Sequence, residues 1–184
     1  AEDVAVELTQ QDVEAVLDTN VLTDHVRMQW TLTKLGIKAG MRVWVPRGDQ
    51  SRMRKWYGEF NEFEPRFSAG IDLDARFFEN IDVVWKEQFR IDAAFEVENS
   101  TAIYSGLLRF ADLNIVAPNT AYPLFVVAPK DRRDEVRTQL CRPVFRQLKM
   151  DTKVSFLPYE AIEEVDRLFT DVSKGMNIDI LQGK

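Results

Sequence analysis

The sequence predicts an α/β fold in which a mixed β-sheet lies between layers of helices. Two short apolar runs, 81–85 and 91–98, are separated by five residues, as expected for a β-hairpin. A continuous apolar run at 124–128 is typical of a parallel strand that is buried on both faces. Amphipathic stretches precede and follow these runs, and helices that alternate with strands cover both faces of such a sheet.

The first elements are a helix and a strand. Thr23 is a suitable N-cap for the helix, and Gly36 can end it. The strand is predicted at 41–45, where β-branched and aromatic residues predominate. The connection from 50 to 79 has helical potential at its start and turn signals later, so we expect it to be partly ordered.

The elements after the hairpin alternate between helix and strand. Ser100 or Thr101 caps a helix, and Gly106 within that helix indicates close packing. A further helix follows Asp131 and is kinked or restarted at Pro143.

The chain is about the size of one ordinary domain. A short strand at 154–157 and a helix with an apolar stripe at 161–169 complete it. We therefore expect a linker or accessory segment at 1–21, one domain at 22–170 and a tail at 171–184.

Composition excludes several classes of protein. The chain is 45% hydrophobic and 29% charged, and no apolar run approaches the roughly 20 residues of a membrane span. Its single cysteine, Cys141, excludes an internal disulfide and a cysteine-based zinc site, and it fits a reducing, cytoplasmic setting. Motifs for ATP, NAD or serine-hydrolase chemistry are absent. Because the sequence begins at Ala1 without a methionine or a signal pattern, we expect it to belong to a longer polypeptide.

Three acidic residues lie where the predicted hairpin strands end or turn. Glu96 and Glu98 are two residues apart, so they point to the same face of one strand, and Asp82 lies on the neighbouring strand. Converging carboxylates suit a hard cation such as Mg2+, which takes one or two protein carboxylates together with waters and substrate phosphates. The pattern predicts metal-dependent phosphodiester chemistry. The alternative interpretation is that the acids decorate a solvated strand face.

Two segments are basic although the formal net charge of the chain is -6. Residues 42–57 contain five basic residues and one acid, and residues 130–149 contain seven basic residues and three acids. The first segment supplies the candidate nucleic-acid contacts Arg47, Arg52, Arg54 and Lys55. The alternative is that both segments are ordinary solvated helix faces.

The order of elements and the acidic positions resemble the αβββαβ core of the PD-(D/E)xK nuclease superfamily, the restriction-endonuclease-like fold. Asp82 matches the acid of the second strand, and Glu96 matches the acid of the next motif. Glu98 stands where lysine is usual, as in the E-x-E variant that a minority of restriction enzymes use. A block pattern similar to uncharacterised prokaryotic proteins of this superfamily extends from about 23 to 157. Its blocks are His25–Trp30, Leu35–Gly36, Val43–Asp49, Phe95–Thr101 and Gly106–Leu113.

The resemblance implies a Mg2+-dependent DNA endonuclease domain of a prokaryotic restriction or defence protein, with Mn2+ able to substitute. Asp82 and Glu96 would bind the metal, and Glu98 would act as general base or second ligand. A homodimer is implied because cutting both strands usually requires two sites. The alternative is an inactive domain of the same fold that binds nucleic acid or mediates assembly.

Five further residues are candidates for the site. Gln29 lies on the helix that borders the site in this fold and can orient water, unless it is a solvent-facing amide. Backbone N–H groups of Ser100 and Thr101 are a suitable seat for a phosphate oxygen. Arg109 either reaches a phosphate or pairs with Asp112 in an ion pair.

The fifth candidate is His25, the single histidine of the chain. An imidazole can transfer protons near neutral pH, but a lone histidine beside an apolar face is more often structural.

Overall fold

The structure is a computed structural model that describes residues 10–67, 76, 79–88, 90–99, 103–117 and 122–175, with the backbone alone described for 10–23 and 172–175. The helices, besides a short 3-10 turn at Lys130–Arg132, are α1 (Gln10–Lys38), α2 (Arg47–Tyr57), α3 (Ile103–Val116), α4 (Arg133–Leu140), α5 (Pro143–Gln147), α6 (Met150–Lys153) and α7 (Tyr159–Gly175). The strands are β1 (Arg42–Trp44), β2 (Val83–Glu87), β3 (Arg90–Val97), β4 (Leu124–Ala128) and β5 (Val154–Pro158). Across the described ranges, no helix combines the length and the apolar character that a membrane crossing requires.

The five strands form one mixed sheet in the order β1-β2-β3-β4-β5. The first three strands are antiparallel neighbours, whereas β3, β4 and β5 run parallel to one another. The apolar run at 124–128 is β4, which has a parallel neighbour on each side, so the prediction of a central parallel strand is confirmed. The predicted hairpin is formed by β2 and β3.

Helices cover both faces of this sheet. One core cluster contains buried residues of α3, α4 and α5, including Phe110, together with Ala94 of β3. The other contains buried residues of α1 and α7, including Leu32, together with Phe95 of β3. Successive side chains of β3 therefore enter opposite cores, as the period of a strand requires. The predicted α/β class, a mixed sheet flanked by helices, is confirmed.

Some element boundaries differ from the prediction. The first helix begins at Gln10, so Thr23 lies inside it and does not cap its start. Residues 10–22 contain neither glycine nor proline, and extending an existing helix costs far less than starting one. The last helix continues to Gly175, into the segment that was predicted to be a tail. The interruption expected at Pro143 is confirmed, because α4 ends at Leu140 and proline opens α5, where its missing N–H is not needed.

Candidate metal and catalytic site

The three predicted carboxylates meet at one end of the β2–β3 hairpin. Asp82 directly precedes β2, and the antiparallel pairing of β2 with β3 places it beside Glu96. Oδ2 of Asp82 accepts a hydrogen bond of 2.7 Å from the backbone N–H of Val97. Asp82, Glu96 and Glu98 are all buried, and Glu96 is 0% exposed. The structure thus brings these carboxylates together and excludes the alternative that they decorate a solvated face.

Gly106 allows the two glutamates to pack beneath α3. A Cβ atom at this position would lie 2.6 Å from Oε1 of Glu98 and 3.2 Å from Cβ of Glu96. Both glutamates therefore face α3, as their spacing along one strand predicts. The close packing predicted at Gly106 is confirmed, and any larger residue there would displace the carboxylate of Glu98.

The pKa values of the three carboxyl groups are raised because the pocket is buried and crowded with negative charge. Burial raises the pKa of Asp82 to about 7, although the Val97 N–H and Arg109 oppose part of the rise. Burial and then the charge of Asp82 raise the pKa of Glu96 to about 8. Burial and then the charge of Glu96 raise the pKa of Glu98 to about 7. Full ionisation of this cluster at neutral pH therefore requires more positive charge nearby.

Arg109 supplies one such charge from α3. Its Nε donates a hydrogen bond of 2.8 Å to Oε1 of Glu96, and its Nη2 donates a second one to Oε2 of the same carboxylate. A fork of this kind occupies both carboxylate oxygens and is among the stronger ion pairs. The partner is Glu96, whereas the sequence had suggested Asp112 or a phosphate. Of the three buried carboxylates, Glu96 is thus bound directly by Arg109, and the charge of Arg132 also opposes part of the rise in the pKa of Glu98.

The first helix adds two polar side chains at the edge of this pocket. His25 and Gln29 are four residues apart and so lie on the same face of α1. Nε2 of His25 lies 3.8 Å from Oδ1 of Asp82, and burial lowers the pKa of the imidazole. Gln29 is 0% exposed, and its Nε2 donates a hydrogen bond of 3.0 Å to Oδ2 of Asp49. The interpretation of Gln29 as a solvent-facing amide is therefore wrong.

Asp49 joins the site from the first turn of α2, and sequence reasoning missed it. One ligand atom each from His25, Asp49 and Asp82 lie within 4.8 Å of one another, which is close enough to hold a metal ion. Glu96, predicted as the partner of Asp82, is not part of this group, and both its oxygens are bound to Arg109. In the sequence Asp49 is merely the one acid of a basic segment, and its position just after the first strand is the only signal that points to it.

The chain matches a known protein family over nearly its whole length. The family model described as the C-terminal domain of the type II restriction enzyme NmeDI matches residues 6–182. The chain belongs to this family. It is 30% identical over 167 residues to the type II restriction enzyme NmeDI of Neisseria meningitidis serogroup C, in an alignment that covers 86% of this chain and 46% of that enzyme. The chain therefore spans less than half the length of this relative, and no solved structure matches it. The predicted relationship to restriction enzymes is confirmed at the level of the family.

In this member of the NmeDI C-terminal domain family, exposed cations of α2 lie on the same helix as Asp49. Arg47, Arg52 and Lys55 are exposed. Nη1 of Arg52 donates a hydrogen bond of 2.8 Å to Oδ1 of Asp49, which places one guanidinium at the rim of the site.

The other predicted nucleic-acid contacts differ from these three. Arg54 is only partly exposed, because its Nε donates a hydrogen bond of 3.0 Å to the carbonyl of Phe60 and its guanidinium lies 5.6 Å from the ring centre of Phe63. Its charge is thus turned towards the protein. Ser100 and Thr101 lie outside the described residues.

Proposed function

We propose that this chain is the nuclease domain of a prokaryotic restriction or defence enzyme, with a restriction-endonuclease-like fold, and that it hydrolyses DNA phosphodiester bonds with Mg2+. The observation that carries the proposal is the buried cluster of Asp82, Glu96 and Glu98 at the end of the hairpin. Membership of a restriction-enzyme family supports the reaction class, but it assigns no role to this half of the enzyme. The buried carboxylate cluster supports the nuclease role that we propose.

The donor set fits a hard divalent cation. Three carboxylates lie around the guanidinium of Arg109, and the charge of Arg132 also acts on Glu98, so the fully ionised cluster still carries more negative than positive charge. A dication would offset this excess and bring the carboxyl pKa values back towards their ordinary range. Carboxylate oxygens are the ligands that Mg2+ and Mn2+ prefer. When bound, the cation acts as a Lewis acid on the scissile phosphate.

The side chains have distinct roles in this proposal. Asp82 and Glu96 would hold the cation, which would require Glu96 to release at least one of its two contacts with Arg109. The N–H groups released from Glu96 would be available to a phosphate oxygen. Glu98, on the same face of the strand as Glu96, accepts the proton of the attacking water as general base.

DNA approaches over α2 in this proposal. Arg47, Arg52 and Lys55 are exposed on this helix, and contacts of such cations with phosphates provide affinity that is independent of sequence. The alignment covers 46% of the related enzyme, and in this proposal the cations of α2 supply affinity for DNA and not recognition of a target sequence. Two copies of the domain, one for each strand, would form a symmetric dimer.

One observation favours a second function, a binding or assembly domain without hydrolysis. Both oxygens of Glu96 are held by Arg109, and Glu98 stands where the nucleases that this chain resembles usually have lysine. If the fork stayed closed, Glu96 would have no oxygen for a cation. Such a domain would bind DNA equally well in Mg2+ and in EDTA.

Cleavage of supercoiled and linear DNA in Mg2+, Mn2+ or EDTA tests the proposal. We expect cation-dependent cleavage by the wild type and a rate at least about a hundredfold lower in Glu98→Gln, which is the smallest loss typical for removal of a general base. Glu87→Gln is the matched control, because Glu87 is exposed at the other end of β2, and it should cut normally. DNA binding without cleavage by any of the three proteins, in any cation, would establish the second function instead.

A further inference from the structure

A second group of donor atoms lies beside the catalytic carboxylates, towards α1. It comprises Nε2 of His25, the side-chain amide of Gln29 and the carboxylates of Asp49 and Asp82, and we call it the His25 pocket. The first two come from α1, the third from α2 and the fourth from the residue before β2. Ligand atoms of His25, Asp49 and Asp82 lie within 4.8 Å of one another. Three separate parts of the fold therefore bring polar atoms to one place.

The spacing within the pocket suits an ion better than a direct hydrogen bond. Nε2 of His25 and Oδ1 of Asp82 are 3.8 Å apart, which is too long for a hydrogen bond between them. Two ligands that each lie about 2.1 Å from one cation are separated by roughly 3 to 4 Å, depending on the angle between them. The observed distance falls within that interval.

Gln29 independently indicates a ligand. Its side chain is 0% exposed, and its Nε2 donates to Oδ2 of Asp49, which turns the amide towards the pocket. Oε1 is bonded to the same amide carbon and has no hydrogen-bond partner among the described residues. Buried carbonyl oxygens without a partner are rare in native proteins and need an explanation. A cation in the pocket would supply the missing partner.

The other polar contacts of the pocket leave room for an ion. Oδ1 of Asp49 accepts a hydrogen bond from Arg52, and Oδ2 of Asp82 accepts one from the N–H of Val97. A carboxylate has about four lone-pair sites, so neither residue is saturated.

We propose that the His25 pocket binds a divalent first-row transition cation, represented by Mn2+, through His25, Asp49 and Asp82, with Gln29 as a further oxygen donor. Imidazole suits such ions, whereas Mg2+ prefers oxygen ligands. The inference rests on the proposed function, because Asp82 is shared between this ion and the catalytic carboxylates. It adds a second cation-binding position, which prefers transition-metal ions because one of its ligands is an imidazole nitrogen.

The single histidine of the chain serves as the spectroscopic label for the test. Protein prepared without a histidine tag is loaded with one equivalent of Mn2+, and nitrogen couplings are recorded by electron spin-echo envelope modulation. We expect the coupling of a directly bound imidazole in the wild type and its loss in His25→Ala. A wild type that binds no Mn2+, or that binds it without this coupling, overturns the proposal even if His25→Ala fails to fold.

Two further variants separate the pocket from the catalytic carboxylates. Asp49→Asn should weaken Mn2+ binding at least about tenfold, as measured by titration calorimetry, with a smaller effect on Mg2+. Glu98→Gln should keep the nitrogen coupling while it loses cleavage. Coupling in a wild type that cuts no DNA would support the pocket and refute the nuclease proposal. Cleavage by a wild type without coupling would do the reverse.

Discussion

The two ends of β2 both bury charged side chains, but the charges are neutralised differently. At one end, which we call the acid end, three buried carboxylates surround one bound guanidinium, that of Arg109. At the other, the lysine end, Lys86 is 1% exposed and its Nζ lies 3.8 Å from Oε1 of Glu64. The second oxygen of Glu64 lies 2.6 Å from Nε of Arg42, which is exposed.

This difference shows which of the two clusters is neutralised without a ligand. At the lysine end the buried pair of Lys86 and Glu64 is neutral, and Arg42 can keep its charge in contact with water. The acid end is left negative when it ionises, and an uncompensated buried charge costs several kcal/mol. We interpret the lysine end as a structural ion pair and the acid end as a site that a cation completes.

The largest change in stability is expected when the positively charged side chain at each end is replaced. Arg109→Met should lower the free energy of unfolding by about 3–5 kcal/mol, because it leaves the buried carboxylate of Glu96 without its partner. Lys86→Met should cost less, because Arg42 still pairs with Glu64. Mg2+ should restore part of the loss in Arg109→Met and none in Lys86→Met. Urea denaturation at pH 8, with Mg2+ or with EDTA, measures both. Equal responses of the two variants to Mg2+ would remove the distinction between the ends.

A smaller effect is expected from pH at the acid end. The pKa of Asp82 rises from 3.8 to about 7, that of Glu96 from 4.5 to about 8 and that of Glu98 from 4.5 to about 7. Between these limits the folded state binds more protons than the unfolded state, so the free energy of unfolding falls as pH rises from about 4 to 8. We expect the free energy of unfolding to fall by about 3 kcal/mol over this range, which corresponds to one proton held over two pKa units.

Urea denaturation of the metal-free wild type at pH 5 and pH 8.5 measures this loss. Glu96→Gln removes the carboxyl group with the highest pKa of the three, so its stability should depend less steeply on pH. Mg2+ should reduce the loss at pH 8.5 and have little effect at pH 5, where the carboxyl groups keep their protons. A stability that is independent of pH in this range would contradict the assignment of the raised pKa values.

The smallest effect is expected on DNA binding, where the two ends again differ. Arg52 lies at the rim of the acid end, whereas Arg90 pairs with Glu87 in the hairpin at the lysine end. Arg52→Ala should reduce the slope of log K against log salt by about 1, because one phosphate contact is lost. Arg90→Ala should leave the slope unchanged. Fluorescence anisotropy across a salt series measures both slopes. Equal slopes for the two variants would show that DNA does not bind over α2.

Much of the fold and part of the site could be predicted from local patterns. The spacing of Glu96 and Glu98 predicts one strand face, and the hairpin brings Asp82 to them, because a short connection leaves the two strands few ways to pair. The apolar run at 124–128 likewise predicts the central strand β4. The start of α1 at Gln10 was missed because the capping signal at Thr23 is weaker than the tendency of a helix to propagate.

The α/β class, the hairpin and the strand face that carries the two glutamates could be read from the sequence, because all three follow from periodicities of a few residues. The packing of the helices on the sheet is what pairs Arg109 with Glu96, buries Gln29 and brings Asp49 close to Asp82 and His25. These contacts join residues on different helices and strands. Their distances depend on how α1, α2 and α3 pack against the sheet, and no short-range pattern encodes that packing.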